Sequence, residues 1–233
     1  MTTLWRDDIW LAQHLGVRSV ELYPEALQSP FELPFEVQNA FVYARVPLSR
    51  LDILYALNLL GFVLVDTSIT LERHVKSREV GNPAIRYARP QDRELVVELA
   101  RYCFSYTRFH QDHRISRTTA DTIQAAWADN FFLGNRGDLM LIAEDSYGIQ
   151  GFLLALVPSQ EKLIIDLIGV SKNAQGKGLG RALIDSAQTE TGCALVQAGS
   201  QLVNMQALAF YQRMGFHLVK AVYTLHRHPS IMR

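Results

Sequence analysis

Cysteine, net charge and long apolar runs are all scarce in this sequence. Its 233 residues include two cysteines, Cys103 and Cys193. They lie too far apart in sequence to predict a metal-ligand cluster or a disulfide framework. We therefore expect a reducing compartment and no metal ion. The 23 basic and 23 acidic residues cancel, so the charge gives no reason to expect nucleic acid as a partner.

A membrane segment and a secretory leader are not expected either. No apolar run approaches membrane-spanning length, and residues 1–10 have no apolar centre of the kind that a signal peptide needs. We expect a cytoplasmic protein that has no membrane contact. Of the 233 residues, 48% are hydrophobic and 20% are charged, which is typical of a globular chain. This length suffices for one large or two small domains.

The two common phosphate-binding motifs are also missing, although residues 175–181 read Q-G-K-G-L-G-R. A Walker loop needs Ser or Thr after Lys177, where this chain has Gly178. A dinucleotide fingerprint needs glycine three residues after Gly178, where this chain has Arg181. The surrounding pattern still favours an anion site. An apolar strand at 163–170 precedes the glycines and a helix follows them, so unpaired helix amides would face a ligand. We expect a diphosphate there, although a solvated loop also fits.

A second informative stretch, residues 204–216, reads N-M-Q-A-L-A-F-Y-Q-R-M-G-F. Asn204 is a suitable helix N-cap and Gly215 is a suitable residue just past the helix end. Apolar residues between them recur at helical spacing. Taken alone, this pattern also fits an ordinary amphipathic helix with aromatic residues in the core.

Together, Q-x-x-G-x-G at 175–180 and N-x-x-A-x-x-F-Y-x-x-x-G-F at 204–216 resemble the coenzyme A motifs of the GCN5-related N-acetyltransferases, the GNAT family. The resemblance covers about residues 84–233. It implies an α/β fold in which a mixed sheet is flanked by helices, and acetyl-CoA as co-substrate. It makes Tyr211 the catalytic general acid toward the thiolate. The coenzyme-binding residues it implies are Leu167, Ile168, Gly169, Val170, Gln175, Gly176, Lys177, Gly178, Leu179, Gly180, Arg181, Asn204, Ala207, Phe210 and Tyr211.

The chain divides into two predicted domains. Residues 1–83 read as a small α/β unit with a helix at 4–15, and residues 84–233 as the acetyltransferase domain. The turn signal at 80–83 marks the boundary. In the second domain we expect a mixed sheet of six or seven strands with helices on both faces.

A basic segment, residues 101–117, suggests the acceptor substrate. His110, Arg114 and Arg117 fall at helical spacing, so one helix face would be positive, and arginine suits phosphate oxygens. A nucleotide sugar with an amine fits this face, although a solvated basic face is common. We predict substrate contacts from Arg108, His110, Arg114 and Asp166.

The general base is left open. Asp166 is either a cleft base or a paired carboxylate, and His110, His113, His217 or an ordered water are alternatives. The oligomeric state is also open, with a homodimer as one option.

The stretch Y-T-R-F-H-x-D at 106–112, with the small N-terminal unit, resembles the dTDP-fucosamine acetyltransferases of enterobacterial common antigen biosynthesis. This resemblance implies transfer to the 4-amino group of dTDP-4-amino-4,6-dideoxygalactose. Two other functions stay open: acetylation of a protein N-terminus or a small amine, and non-catalytic acyl-CoA binding.

Overall fold

The computed structural model describes residues 4–26, 32–74 and 84–229. Its strands are β1 (Trp5–Asp7), β2 (Ser19–Leu22), β3 (Phe41–Pro47), β4 (Val63–His74), β5 (Ile85–Tyr87), β6 (Leu139–Asp145), β7 (Gly148–Ser159), β8 (Lys162–Val170), β9 (Leu195–Gln201) and β10 (His217–Arg227). Its α-helices are α1 (Ile9–Leu15), α2 (Leu51–Leu59), α3 (Arg93–Cys103), α4 (Arg108–Gln111), α5 (Arg117–Phe132), α6 (Leu179–Thr191) and α7 (Met205–Arg213).

The ten strands of the described chain form one sheet, in the order β1-β2-β3-β10-β4-β9-β8-β7-β6-β5. The pairs β2–β3 and β8–β9 are parallel and the other pairs are antiparallel. The predicted mixed α/β class is confirmed.

Residues 84–233 contribute six strands, β5 to β10, as expected. The sheet is not confined to them, because β4 comes from the first predicted domain yet lies between β9 and β10. A sequence pattern indicates a strand without indicating its neighbours. The predicted boundary at 80–83 falls outside the described residues, and the division into two domains stays a prediction.

Strands in the middle of the sheet are buried on both faces. In β6, Met140 and Ile142 pack in a cluster with residues of α3 and α5. Leu139 and Leu141, which alternate with them, pack in a second cluster with residues of α6. Such strands read as continuous apolar runs because neither face meets water.

The predicted helix at 4–15 begins only at Ile9. The Asp8 carboxylate accepts a hydrogen bond from the Leu11 amide at 2.9 Å, which caps α1 at this point. The residues just before Asp8 instead form β1, which pairs with β2. The sequence did not predict β1. Propensity favoured a single helix, and tertiary pairing overrode it.

We find no helix in the described ranges that is both long and apolar enough to cross a membrane.

Candidate active site

β8 and β9 are parallel neighbours that separate part-way along their length. Their pairing ends at Ile165 and Ala198, whereas β8 continues to Val170. On the other edge of β8, the register with β7 leaves Asp166 as an extra residue between Ile165 and Leu167. Such a bulge bends a strand. The separation opens into a cleft of about 1460 Å³.

The loop after β8 presents a run of backbone amides to this cleft. Gly176 and Gly178 have φ angles of +76° and +83°, which favour glycine. No acceptor within the described chain takes a hydrogen bond from the amides of residues 176–180. A Cβ built on Gly178 would meet no atom within 4 Å, so the backbone is open to a ligand there. This cradle, at the start of α6, fits a diphosphate.

Gln175 ties this loop to the rest of the site. Its amide nitrogen donates to the Val170 carbonyl at 3.2 Å, and its amide oxygen accepts from Gln206 of α7 at 3.4 Å. The predicted contact of Gln175 with the pyrophosphate stays a prediction. The geometry itself shows a side chain that joins the end of β8 to the start of α7.

α7 is fixed beside the loop by a cap and a close approach. The Asn204 side chain accepts from the Ala207 amide at 3.1 Å, so it is the N-cap that the sequence predicted. A Cβ on Gly180 would lie 3.3 Å from the Phe210 ring, so glycine lets α6 and α7 approach each other.

Tyr211 lies in the core and also lines the cleft. Tyr211 is 3% exposed. Its ring packs against those of Phe210 and Phe216, and the centroid distance is 5.2 Å to each. No described residue makes a hydrogen bond to its hydroxyl. Burial raises the pKa of Tyr211, so the phenol is protonated at neutral pH and can donate. A core tyrosine of purely structural function would have its hydroxyl satisfied by a neighbour.

Asp166 is a paired carboxylate, which is one of the two alternatives for it. Arg136 donates to both carboxylate oxygens at 2.6 Å, and the Trp127 indole donates to Oδ2 at 2.9 Å. The side chain is 8% exposed. Asp166 lines the cleft, but three donors already occupy its oxygens, which disfavours it as a free base.

The basic segment does not form one helix face, so that expectation is wrong. α4 ends at Gln111 and α5 begins at Arg117. Buried Asp112 follows α4, and Ser116 caps α5 through the Thr119 amide at 3.0 Å. Local hydrogen bonds to these short polar side chains compete with a continuous helix.

Two of the predicted substrate residues therefore lie away from the cleft. The His110 side chain is buried, with its two ring nitrogens bonded to Thr107 at 2.7 Å and to Asp121 at 2.9 Å. Arg114 is exposed in the turn between α4 and α5. Neither side chain lines the cleft.

Arg108, in contrast, does line the cleft. Its guanidinium lies 4.0 Å from the centroid of the Tyr43 ring and 4.4 Å from that of Phe109. It donates to His226 Nε2 at 3.3 Å. We find no carboxylate paired with it in the described chain. Burial lowers the pKa of Arg108 to about 10, so it remains a cation at neutral pH.

A buried network holds Arg108 in place. His226 is 1% exposed, and its Nδ1 lies 2.8 Å from Asp112 Oδ2. Because Nε2 accepts from Arg108, His226 is neutral and Nδ1 carries the proton. Burial lowers the pKa of His226 to about 4. Burial alone would raise the pKa of Asp112, but hydrogen bonds from His226 and His228 lower it below its usual range.

The sequence reasoning missed several cleft residues near Arg108. These include Arg45, Ser68 and Thr70, which belong to strands β3 and β4 of the first predicted domain. Strand alternation could have placed Ser68 and Thr70 on one face. No local signal indicated that β4 would lie beside β9.

The predicted coenzyme residues lie together along the cleft, apart from exposed Lys177. Those that line it are Leu167, Ile168, Gly169, Val170, Gln175, Gly176, Gly178, Leu179, Gly180, Arg181, Asn204, Ala207, Phe210 and Tyr211. Their functions in binding stay predictions.

Comparison with known proteins gives the same fold. Residues 136–218 match the family model described as acetyltransferase (GNAT) domain. The spore coat polysaccharide biosynthesis protein SpsD of Bacillus subtilis (strain 168) is 33% identical over 145 residues, which are 60% of this chain and 49% of SpsD. This chain therefore spans about half the length of that relative.

Two solved structures share the architecture. A GCN5-related N-acetyltransferase from Sphaerobacter thermophilus superposes with a TM-score of 0.57 at 16% identity, covering 82% of this chain and 61% of that one. Another, from Kribbella flavida, gives 0.58 at 12% identity, covering 92% and 83%. The fold is that of the GNAT acetyltransferases, and residues 136–218 match the model of that family's domain.

Proposed function

We propose that this protein transfers the acetyl group of acetyl-CoA to the amine of a nucleotide-activated amino sugar. The specific acceptor we propose is the 4-amino group of dTDP-4-amino-4,6-dideoxygalactose. One observation carries the proposal: a single cleft joins an amide cradle and the Tyr211 hydroxyl to a guanidinium that has no carboxylate partner in the described chain.

The coenzyme half of the cleft supports acetyl-CoA. The amides of residues 176–180 would hold the diphosphate, and the edge of β8 at 167–170 would bond the pantetheine amides in place of a neighbouring strand. Acetyl-CoA, once bound, would supply an activated thioester. The backbone groups on this edge are also suitable donors toward the carbonyl oxygen, where negative charge develops.

The acceptor half supports an anionic substrate. Arg108 offers a planar fork that matches phosphate oxygens, and the hydrogen bond to His226 fixes its direction. A protein N-terminus or a polyamine would instead favour carboxylates here. The printed name of SpsD, a polysaccharide biosynthesis protein, agrees with a sugar acceptor.

Tyr211 would complete the reaction. The amine attacks the thioester carbonyl, and the departing sulfur needs a proton or strong solvation. Tyr211 is protonated, lines the cleft and has no other hydrogen-bond partner in the described chain. It would donate its proton to the leaving thiolate as a general acid.

A thiol-release assay tests the proposal. Acetyl-CoA is supplied with dTDP-4-amino-4,6-dideoxygalactose, with the same amino sugar lacking the nucleotide, with a peptide or with spermidine. We expect thiol release with the nucleotide sugar, and a much higher KM for the sugar alone because it lacks the diphosphate. The acetylated product is confirmed by mass spectrometry.

The other outcomes separate the alternatives. Faster turnover of the peptide or of spermidine would make the protein an acetyltransferase of another acceptor class. Tight acetyl-CoA binding without thiol release for any amine would indicate a coenzyme-binding module and would overturn the proposed reaction.

A further inference from the structure

Acetyl transfer from a thioester to an ammonium group leaves one proton over. The ammonium loses two protons as it becomes an amide, and the thiolate takes up only one of them. The other must leave a cleft that is filled by two substrates. Asp166 is already occupied by three donors, so the proton needs another acceptor.

β4 carries a hydroxyl, on Ser68, and a carboxylate, on Asp66, that are hydrogen-bonded to each other. Ser68 lines the cleft, and its Oγ donates to Asp66 Oδ2 at 2.9 Å. Thr224 Oγ1 lies 3.0 Å from the same Ser68 oxygen. Because the Ser68 hydrogen points to Asp66, Thr224 donates to Ser68. One lone pair of Ser68 Oγ then remains for a donor in the cleft.

Asp66 is a buried carboxylate that is only half satisfied. It is 6% exposed, and its Oδ1 has no hydrogen-bond partner among the described residues. Leaving a buried charged oxygen unpaired is costly, and groups of this kind cluster at functional sites. Burial raises the pKa of Asp66 above its usual value, and the hydrogen bond from Ser68 opposes that rise.

Asp66 also lines a second cavity, of about 280 Å³, with Gln111, Leu202 and Val203 among its neighbours. Leu202 and Val203 are 44% and 49% exposed, so this cavity lies at the protein surface. It is large enough for several waters, at about 30 Å³ for each. Asp66 therefore lies between the cleft, which it reaches through Ser68, and a separate opening.

We propose that Ser68 takes a proton from the acceptor ammonium while passing its own to Asp66, which releases it through the second cavity. This inference rests on the proposed function. An N–H bond of the ammonium breaks as an O–H bond forms on Ser68. The Ser68 hydroxyl proton moves to Asp66 Oδ2, and the freed nitrogen lone pair attacks the thioester carbon. The C–S bond then breaks and the thiolate takes a proton from Tyr211. The second proton, which the nitrogen loses as the amide forms, returns to the Tyr211 phenolate.

The groups around Asp66 are suited to this cycle. Arg108 on α4 acts on the carboxylate as a positive charge and favours its ionised form. The same face of the sheet carries Tyr43 and Arg45 on β3 and neutral His226 on β10. The proposal requires the Asp66 carboxylate to be ionised between turnovers, against the effect of its burial.

The test is the pH dependence of kcat/KM for the acceptor in Asp66→Asn, Ser68→Ala and their double variant. Without the relay, only the free amine reacts. We expect each single variant to lose about 10²-fold at neutral pH, as removal of a general base typically does. The loss should shrink toward none as the pH passes the pKa of the acceptor amine. The double variant should be no worse than the poorer single variant, because the two residues act as a unit.

The controls separate this relay from folding and charge effects. Asp52→Asn, at an exposed carboxylate paired with Arg50, should match the parent at every pH. Ser68→Thr keeps the hydroxyl and should restore most of the activity. Calorimetry with acetyl-CoA should give unchanged affinity in all variants. A loss that is equal at all pH values, or one within about threefold of the parent, would overturn the relay.

A second measurement tests the relay without enzymatic turnover. If the parent acetylates no amine, the proposed function fails, and a carbon-13 NMR titration of the Asp66 carboxyl still tests the relay. We expect an ionised carboxyl at pH 7 whose titration shifts in Ser68→Ala. A carboxyl that stays protonated at pH 7 could not accept a proton and would rule the relay out.

Discussion

The two halves of the cleft are built in different ways. The coenzyme half is made of backbone: the amides of residues 176–180 and the unpaired edge of β8. The acceptor half is made of side chains from distant parts of the chain, such as Arg45, Ser68 and Arg108. Backbone recognition depends on one contiguous motif, whereas side-chain recognition depends on how β3, β4 and α4 are brought together. We expect substitutions in the two halves to affect different kinetic constants.

Tyr211 belongs to neither half alone, and its substitution should have the largest effect. Tyr211→Phe keeps the ring between Phe210 and Phe216, so folding and coenzyme affinity should survive. Loss of the proton donor should lower kcat by about 10²-fold, within the range typical of general acid catalysis. The KM values should change little, because the proton moves only in the transition state. Steady-state kinetics at saturating acetyl-CoA check this.

A thiolate is a fair leaving group, with a reference thiol pKa near ~8.5, so the effect should fall at the low end of that range. If kcat of Tyr211→Phe stays within about threefold while chemistry limits the rate, Tyr211 is a packing residue and the acid is another group.

The acceptor half should respond to Arg108→Met, which removes the charge and keeps an apolar stem over Tyr43. A charged hydrogen bond contributes about 1.5–3 kcal/mol, so KM for the nucleotide sugar should rise roughly tenfold to 100-fold. Affinity for acetyl-CoA should hardly change. Arg114→Met is the matched control, since Arg114 lies outside the cleft and should behave as the parent.

Equal losses for both substrates in Arg108→Met would show that the two halves are not separable. A rise in KM for Arg114→Met comparable to that of Arg108→Met would instead restore the interpretation of the segment as one basic face.

The coenzyme half should respond to Gly178→Val. Its φ of +83° strains any side chain, and the new Cβ would enter the space that a diphosphate needs. We expect acetyl-CoA affinity to fall about tenfold or more, at ~1.4 kcal/mol for each factor of ten. Gly134→Val carries matched strain, with a φ of +71° and open space around it, but lies outside the cleft. It should lose stability and keep its affinity, as measured by thermal melting and calorimetry.

The same contrast explains how much could be predicted from the sequence. The loop at 175–180 and the helix at 204–216 were predictable because spacing and turn chemistry are local properties. Asn204 as an N-cap and the strand before the loop are confirmed for that reason. Arg108 lines the cleft as expected, whereas His110 and Arg114 do not, because Asp112 and Ser116 separate α4 from α5. The contribution of β4 depends on pairing between residues far apart in sequence, which no local pattern encodes.

The smallest effect we predict is a pH dependence of stability that arises in the acceptor half. The pKa of His226 is lowered from 6.5 to about 4 in the folded protein, chiefly by burial. Between these values the unfolded chain binds a proton that the folded protein does not, so stability rises with pH across this window. Lowering the pH from 6.5 toward 4 should therefore reduce the urea midpoint.

His226→Gln removes the titrating group. It should reduce the slope of stability against pH by the contribution of up to one proton. The substitution also loses packing against Phe41. The slope of the midpoint against pH, and not its absolute value, is therefore the measurement. Tyr211 does not titrate in this range, so Tyr211→Phe should keep the slope of the parent. An unchanged slope in His226→Gln would show that the network behind Arg108 is not the source of the acid sensitivity.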